Sequence, residues 1–431
     1  MKILLALEPN TYEAMVNGQF PRVPYSHDRN LLMYANIAIA QGHDVFVSCG
    51  VDGIWIRDIY VIQSVYPSWR YANANPVLGE LDCIMSAGPD QLRLRAEFPR
   101  AKLVGVLSAL HMFESPALHG PNYPYNLFTA VRDHLDFVIT LNERMRETFV
   151  AMCKWLAKVD FSHRVIVAPL GFSKDEARCN YDSLSRNKHR VELGLAPDDV
   201  MFINAGGAWG WTDTDTFIEA FCLFSQSCPH KFRVYFSGIK QENNSDANLV
   251  AEKIYRLADT YPRLFSDQPG SETSPIYLER DWARGGKEVA HHLAIADIGI
   301  NLSKSGFEAW QSHRVRFIDY LAYGLPVLNT QGDYGSELNA EACFSCESES
   351  LESYMSVFER LHTRRGFLTE HRAGAEKCRV RYMAERLVPP VLKMIEQSEP
   401  RNVGKESKEE WFLEDLVKSE MKHLKVSIES T

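Results

Sequence analysis

Short apolar runs alternate with amphipathic stretches of helix length along most of this 431-residue chain. The first unit has an apolar run at residues 2–7, a helix-like stretch near 29–41 that stops at Gly42, and a second apolar run at 43–49. Such alternation is typical of parallel strands joined by helical crossovers. The pattern therefore predicts an α/β fold built from doubly wound sheets.

The alternation occurs in two blocks. Further strands are predicted at 81–87, 102–108, 136–141 and 164–170 in the first block, and at 200–207, 232–238, 275–279, 297–303 and 326–330 in the second. A polar, charged stretch separates them, which is typical of a linker. We predict a Rossmann-like domain at 1–172, a linker with a first helix at 173–196, a second Rossmann-like domain at 197–380, a helix crossing back to the first domain at 381–398 and a charged tail at 399–431. Two such domains are expected to face each other across a cleft, which the loops at their strand ends would line.

A highly charged segment follows the predicted strand at 296–303. It places two carboxylates and two arginines, namely Glu308, Asp319, Arg314 and Arg316, before a Gly-Leu-Pro turn into the next apolar strand. At about 100° per residue, Arg314 falls on the apolar stripe of the predicted helix. Arginine rarely occupies such a position unpaired, so the pattern favours a functional role for Arg314.

Three segments carry a resemblance to a known family. They are ADIGINLS with FEAWQSHRVRFIDYLAYGLPVLNTQGD at 296–333, GGAWGWTDTDTFIEAF at 206–221, and LERDWARGGKEVAHHLAIADIG at 278–299. In this order they resemble the donor half of retaining, nucleotide-sugar-dependent glycosyltransferases of the family 4 type, which have the GT-B fold. The matches cover about half of the chain, and the amino-terminal half matches only generically.

The resemblance implies transfer of a sugar from a nucleoside-diphosphate sugar to an acceptor hydroxyl, with retention and without a metal ion, in glycan or glycoconjugate biosynthesis. The nucleotide sugar would be a donor substrate bound by the second domain, so no cofactor is expected. The first domain would provide the acceptor side. The base, the sugar and the acceptor stay open, and a glycan, a lipid-linked glycan, a protein and a small molecule all remain candidates.

The glycine-rich loop would hold the donor diphosphate. Gly206 and Gly207 permit the close approach and the positive φ that an anion-binding loop needs, and Trp209 and Trp211 would add a stacking surface. Many members of the wider superfamily have an Arg and a Lys in this region, but residues 206–221 contain neither. The resemblance therefore assigns the neutralisation of the diphosphate to Arg314, Arg316 or Lys304, because fixed cations stabilise a leaving diphosphate.

Other positions are assigned by resemblance to the nucleotide and to the sugar. Asp319 would accept both ribose hydroxyls, Trp282 lies in the segment that would meet the base, and Glu308 would orient the donor sugar. The commoner motif has Glu at the position of Asp319 and another Glu eight positions earlier, where this chain has Gln311, so the first carboxylate lies instead at Glu308. His111 follows a predicted strand of the first domain and would contact the donor sugar.

Several of these assignments have a structural alternative. The tryptophans of the loop could be buried anchors, and Arg316 could form an i to i+3 pair with Asp319. Lys304 could be a solvated loop residue, Glu308 could interact with a helix dipole, and His111 could be structural.

Composition excludes some classes of protein. The net charge of −9 argues against general nucleic-acid binding. Nine scattered cysteines fit reduced thiols, and the lone pair Cys343 and Cys346 is not completed to a zinc site, so we assign no metal. No stretch approaches the roughly 20 apolar residues that span a bilayer. We expect a cytoplasmic protein, with peripheral contact at the inner membrane face as an alternative.

Two other functions stay open. A nucleotide-sugar epimerase has the same fold and donor half, and a non-catalytic subunit that binds a sugar nucleotide would share the same sequence features.

Overall fold

The computed structural model describes residues 1–7, 26–48, 59–60, 69–70, 81–89, 92, 95, 98–108, 110, 123–174, 183–228, 232–238, 245–266, 274–279, 286–364 and 366–401. The chain divides into two compact units. The first unit holds the described residues up to Pro169 and again from Leu387, and the second holds those from Leu170 to Arg386.

The first unit is built on a sheet with the strand order β3-β2-β1-β5-β6-β7-β8, to which β4 adds by pairing with β2. The strands are β1 (Lys2–Ala6), β2 (Asp44–Ser48), β3 (Ile59–Tyr60), β4 (Trp69–Arg70), β5 (Cys83–Ser86), β6 (Lys102–Leu107), β7 (Phe137–Thr140) and β8 (Val165–Val167). All pairs are parallel except β2 with β3. The helices are α1 (Ser26–Ala40), α2 (Tyr123–Asp133) and α3 (Glu143–Leu156), with a 3₁₀ turn at Ser162–Arg164.

The second unit has a fully parallel sheet in the order β11-β12-β10-β9-β13-β14-β15. Its strands are β9 (Val200–Asn204), β10 (Phe232–Phe236), β11 (Phe265–Ser266), β12 (Ile276–Leu278), β13 (Ile298–Asn301), β14 (Val327–Thr330) and β15 (Cys343–Cys346). Its helices are α4 (Ser183–Glu192), α5 (Thr214–Ser227), α6 (Ser245–Thr260), α7 (Gly286–Ile295), α8 (Phe307–Gln311), α9 (Val315–Ala322), α10 (Tyr334–Leu338), α11 (Leu351–Thr363) and α12 (Phe367–Arg379), with 3₁₀ turns at Ala340–Ala342 and Val380–Tyr382. The predicted α/β class with two Rossmann-like domains is confirmed.

The core of the second unit is aromatic. Phe202 on β9 lies at its centre, with ring centroids 6.1 Å from Phe217 and 5.8 Å from Phe358. Parallel strands are covered on both faces, which explains why their sequences read as continuous apolar runs.

The Cys-x-x-Cys pair forms part of edge strand β15, where Cys343 and Cys346 are buried free thiols.

A buried ion-pair cluster joins distant segments of the second unit. Asp297, just before β13, accepts from Arg186 and Arg190 of α4 at 2.8 and 2.9 Å, and from Arg372 of α12 at 2.8 Å. It also accepts from the backbone N–H of Met201 at 3.0 Å. The Asp of the Ala-Asp-x-Gly sequence is therefore structural, and it fixes α4 of the predicted linker on the second sheet.

The final described helix, α13 (Ala384–Gln397), contains both Pro389 and Pro390. It begins in the second unit and belongs to the first from Leu387 onward. Among the residues that the structure describes, no helix is both long enough and apolar enough to cross a bilayer.

Candidate functional site

The candidate site lies in the second unit, where β9 and β13 end at the carboxyl edge of the sheet. The predicted charged helix is two short helices there, α8 and α9, separated by three residues. Arg314 is therefore not inside a helix, because it is the residue that precedes α9 and has an extended backbone with φ −68° and ψ 135°. Because of this break, the direction of the Arg314 side chain is not set by the apolar stripe of α9.

Arg314 is buried, with 7% of its side chain exposed, and three groups surround its guanidinium. It donates to the Glu308 carboxylate and to Ser303 Oγ, the latter at 3.3 Å. Its guanidinium carbon lies 3.6 Å from the centroid of the Trp211 ring. A cation over an indole face is attracted by the ring quadrupole, so Trp211 fixes this arginine in place.

The two tryptophans of the glycine-rich loop stack on each other. The Trp209 and Trp211 rings have centroids 6.2 Å apart and an interplanar angle of 8°. Arg316 also lies above Trp211, with its guanidinium carbon 5.7 Å from the ring centroid. Both predicted arginines and the glycine-rich loop thus meet around the indole ring of Trp211, one of the two tryptophans predicted to add a stacking surface.

Arg316 lies against the end of β9. It donates to Asn204 Oδ1 at 3.0 Å and to the Gly207 carbonyl at 3.2 Å, and burial lowers its pKa. A Cβ at Gly206 would lie 3.1 Å from the Arg316 guanidinium carbon. Neither Gly206 nor Gly207 has its φ in the left-handed region that favours glycine, so the need for glycine at 206 arises from the close approach of Arg316 and not from backbone conformation.

Glu308 and Asp319 lie on the two short helices. Glu308 Oε1 accepts from Ser312 Oγ at 2.5 Å, and its other oxygen accepts from Arg314. Asp319 is half-buried on α9, three residues after Arg316, and its charge acts on that guanidinium. Glu308 thus contacts one arginine of the site, while Asp319 shares a helix with the other.

Lys304 is bonded to the same loop through its backbone. Its backbone N–H donates to the Trp211 carbonyl at 2.9 Å, but its ammonium is 4.0 Å from Asp215 Oδ1. Asp215 also binds Lys253 at 2.7 Å. Lys304 lines a cavity of about 430 Å³ together with Gly210, Leu249, Val250, Glu252, Lys253 and Arg256.

Tyr320 connects the loop to the strand, a role that sequence reasoning missed. Its hydroxyl accepts from the Ala205 N–H at 3.0 Å and donates to the Ile300 carbonyl at 2.9 Å, and burial raises its pKa to about 12. A Cβ at Gly299 would lie 2.2 Å from the Tyr320 ring. The glycine of Ala-Asp-x-Gly is therefore explained by the tyrosine that packs on it.

Two buried acids, Asp213 and Asp333, directly precede helices and are held by hydrogen bonds. Asp213, before α5, accepts from Tyr354 Oη and from the Glu349 N–H, each at 2.6 Å, and burial raises its pKa. Asp333 caps α10 by accepting from the Gly335 N–H at 2.8 Å, and it accepts from Asn329 Nδ2 at 3.2 Å. Burial raises the pKa of Asp333 to about 6.

Two predicted residues, His111 and Trp282, lie outside the described residues, as does the segment 280–285. The described part of the chain shows no group of three His, Cys, Asp or Glu side chains that could hold a metal ion. Six of the predicted site residues come together around Trp211, namely Gly206, Gly207, Trp209, Glu308, Arg314 and Arg316.

Comparison with known proteins identifies the architecture. No family model matches the sequence, and no curated protein sequence matches it. Solved structures do match. Anabaena HepE in complex with UDP is 12% identical over 92% of this chain and 100% of that chain, with a TM-score of 0.63. Sucrose-phosphate synthase from Thermosynechococcus elongatus is 13% identical over 92% and 98%, with a TM-score of 0.63.

A third structure is that of WaaG, a glycosyltransferase involved in lipopolysaccharide biosynthesis. It is 15% identical over 92% of this chain and 100% of that chain, with a TM-score of 0.59. These similarities extend over nearly the whole of each chain. The protein therefore has the GT-B glycosyltransferase fold, with two Rossmann-like domains in one chain.

Proposed function

We propose that this protein is a glycosyltransferase that moves a sugar from a nucleoside-diphosphate sugar to an acceptor hydroxyl. The proposal includes retention of configuration and catalysis without a metal ion, both of which follow from the family resemblance. The acceptor is a glycan, a lipid-linked glycan, a protein or a small molecule.

One observation carries the proposal. Arg314 and Arg316 approach the same indole ring at the carboxyl ends of β9 and β13, where ligands bind in parallel α/β sheets. Both guanidiniums are largely removed from water, and fixed cations in such a place stabilise a diphosphate more than they would in solvent. The two arginines therefore replace the Arg and Lys that the glycine-rich loop lacks.

The remaining groups complete a donor site. Asp319 is half-buried beside Arg316 and would accept the ribose hydroxyls, since an ionised carboxylate can accept two hydrogen bonds at once. Glu308 would accept a hydroxyl of the sugar next to Arg314. The Gly206 and Gly207 loop would approach the diphosphate through its backbone.

The neighbours suggest which donors to test first. HepE has been crystallised with UDP and with UDP-glucose, so UDP-sugars head the screen, followed by GDP, dTDP and CDP sugars. A thermal-shift assay suits this purpose because a ligand of the folded state alone adds about 2.7 kcal/mol at 100 times its Kd.

We expect one class of nucleotide sugar to raise the melting temperature. Asp319→Ala and Arg314→Ala should abolish this shift and remain folded, whereas Arg364→Ala, at an exposed ion pair with Glu370, should retain it. An unchanged shift in both site variants would refute the donor site.

Product analysis then separates the alternatives. Transfer to an acceptor, or slow hydrolysis of the donor, supports the proposal. Epimerised donor formed without an acceptor would indicate an epimerase, and binding without any turnover would indicate a non-catalytic subunit.

A further inference from the structure

The ion pair between Glu308 and Arg314 places two functional groups of opposite charge in contact within the proposed donor site. Both are shielded from water, with 13% of the Glu308 side chain and 7% of the Arg314 side chain exposed. Arg314 is held on its other side by Trp211 and Ser303. The contact is therefore a property of the site itself and not of a solvated surface pair.

Both oxygens of Glu308 are already engaged. Oε1 accepts from Ser312 Oγ at 2.5 Å and Oε2 accepts from Arg314. A carboxylate held in this way satisfies the charge of the arginine, which an anionic ligand would otherwise do. Glu308 and a donor diphosphate are thus competitors for the same guanidinium.

Like charges cannot share a buried site without a cost, because each raises the energy of the other in a medium of low dielectric constant. A diphosphate that approaches Arg314 must either displace Glu308 or remain beside it. Displacement frees the carboxylate at the point where the sugar of the donor would lie. A sugar hydroxyl can then donate to the released carboxylate, which compensates for the lost ion pair.

We propose that Glu308 acts as an internal competitor of the diphosphate at Arg314, so that the site favours a nucleotide that carries a sugar over the free nucleoside diphosphate. This inference rests on the proposed function and makes Glu308 a specificity-determining residue as well as a sugar contact. The free diphosphate breaks the ion pair and leaves Glu308 Oε2 without a donor, while Ser312 stays bound to Oε1. The sugar nucleotide breaks the same ion pair and provides a hydroxyl donor for Oε2.

The test compares the affinities of free diphosphates in the unmodified protein and in Glu308→Gln. Isothermal titration calorimetry is used with inorganic pyrophosphate, UDP, GDP, dTDP and CDP, and with UDP-glucose, GDP-mannose, dTDP-glucose and CDP-glucose. For whichever free diphosphate binds the unmodified protein, removal of the competing charge should lower the Kd by about tenfold. The Kd of the corresponding sugar nucleotide should change by less than about threefold, because this ligand also loses its contact with the carboxylate.

Three controls assign the effect to the ion pair. Glu219→Gln makes the same change of charge at an exposed position of α5 and should leave all affinities unchanged. Glu308→Ala should show the same gain for the free diphosphate. In the Arg314→Ala background, where nucleotide binding should be lost, Glu308→Gln should not restore it, because the competition needs the guanidinium.

The outcomes separate the inference from the proposed function. Suppose that the unmodified protein binds a nucleotide, but that Glu308→Gln and Glu308→Ala bind the free diphosphate no more tightly than the unmodified protein does. The inference is then wrong and the donor site stands. An equal gain for the free diphosphate and for its sugar nucleotide would also refute it. If the unmodified protein binds none of the nine compounds, the inference and the proposed function both fail.

Discussion

The guanidinium carbon of Arg314 lies 3.6 Å from the centroid of the Trp211 ring. The glycine-rich loop thus contributes no cation of its own but holds the cation that another segment supplies. The indole shields one face of the guanidinium from water, and Ser303 and Glu308 fix its edge. An arginine held in this way is oriented before any ligand arrives.

Replacement of Trp211 should weaken nucleotide binding. A cation–π contact contributes about 0.5–2 kcal/mol, so we expect Trp211→Ala to raise the Kd for the nucleotide sugar by up to about thirtyfold. Trp211→Phe retains an aromatic face and should recover most of the affinity. Calorimetry measures both, and Trp155→Ala, at an exposed residue of the first unit, is the control. Equal affinities in Trp211→Ala and the unmodified protein would contradict the role of the ring.

Gly206→Ala should displace Arg316 while leaving the fold intact. The added Cβ would lie 3.1 Å from the guanidinium carbon, so the arginine must move and its bond to the Gly207 carbonyl is weakened. We expect the Kd for the nucleotide sugar to rise by about tenfold. The matched control is Gly306→Ala, where an added Cβ has no neighbour within 4 Å and φ is 164°. If both variants bind equally well, Arg316 is not part of the site.

Asp297→Ala should destabilise the second unit by about 3–5 kcal/mol, because it leaves buried arginines without their counter-charge. Arg190 is the most affected, since only 4% of its side chain is exposed. Urea denaturation followed by circular dichroism measures the free energy of unfolding. Arg372→Ala removes a partner that is 42% exposed and should cost less than about 1 kcal/mol. Similar losses in the two variants would contradict this assignment.

Asp333 should make the stability of the protein fall as the pH rises from about 4 to about 6. Burial raises the pKa of this carboxyl from 3.8 to about 6, so the folded state binds the proton more tightly than the unfolded state does. The resulting loss, on the order of 3 kcal/mol, is complete above the folded-state pKa.

Asp333→Asn preserves an acceptor for the Gly335 N–H and should remove this dependence. The unfolding free energy of both proteins is compared between pH 4 and pH 8. A constant difference across this range would show that Asp333 does not titrate there. Asp333→Ala, which also loses the helix cap, should be less stable than Asp333→Asn at every pH.

Much of the fold could be predicted because each sheet is buried on both faces. The apolar runs at 200–207 and 297–303 had to be internal strands, and the structure has β9 and β13 there. Short edge strands such as β11 were missed, since a strand of two residues leaves no periodic signal. The break between α8 and α9 was missed for a related reason, because 307–322 has no proline or glycine to mark it.

The charged residues of the candidate site could be named from the sequence, but their contacts could not. The expected apolar stripe drew attention to Arg314, although this residue precedes α9. Its contact with Trp211 joins residues about one hundred positions apart, which no local pattern shows. The sequence motif assigns no separate role to Tyr320, although its hydroxyl bonds to both Ala205 and Ile300. Its position directly after Asp319, together with the unexplained glycine at 299, was the available signal.

The cluster around Asp297 also determines how the donor-side half can be isolated. Arg186 and Arg190 reach Asp297 from a helix that precedes the predicted start of that domain at 197. A recombinant fragment beginning at 197 would lose two of the three arginines that bind Asp297 and keep only the half-exposed Arg372. A fragment intended for crystallisation therefore has to include the helix Ser183–Glu192 and start ahead of it.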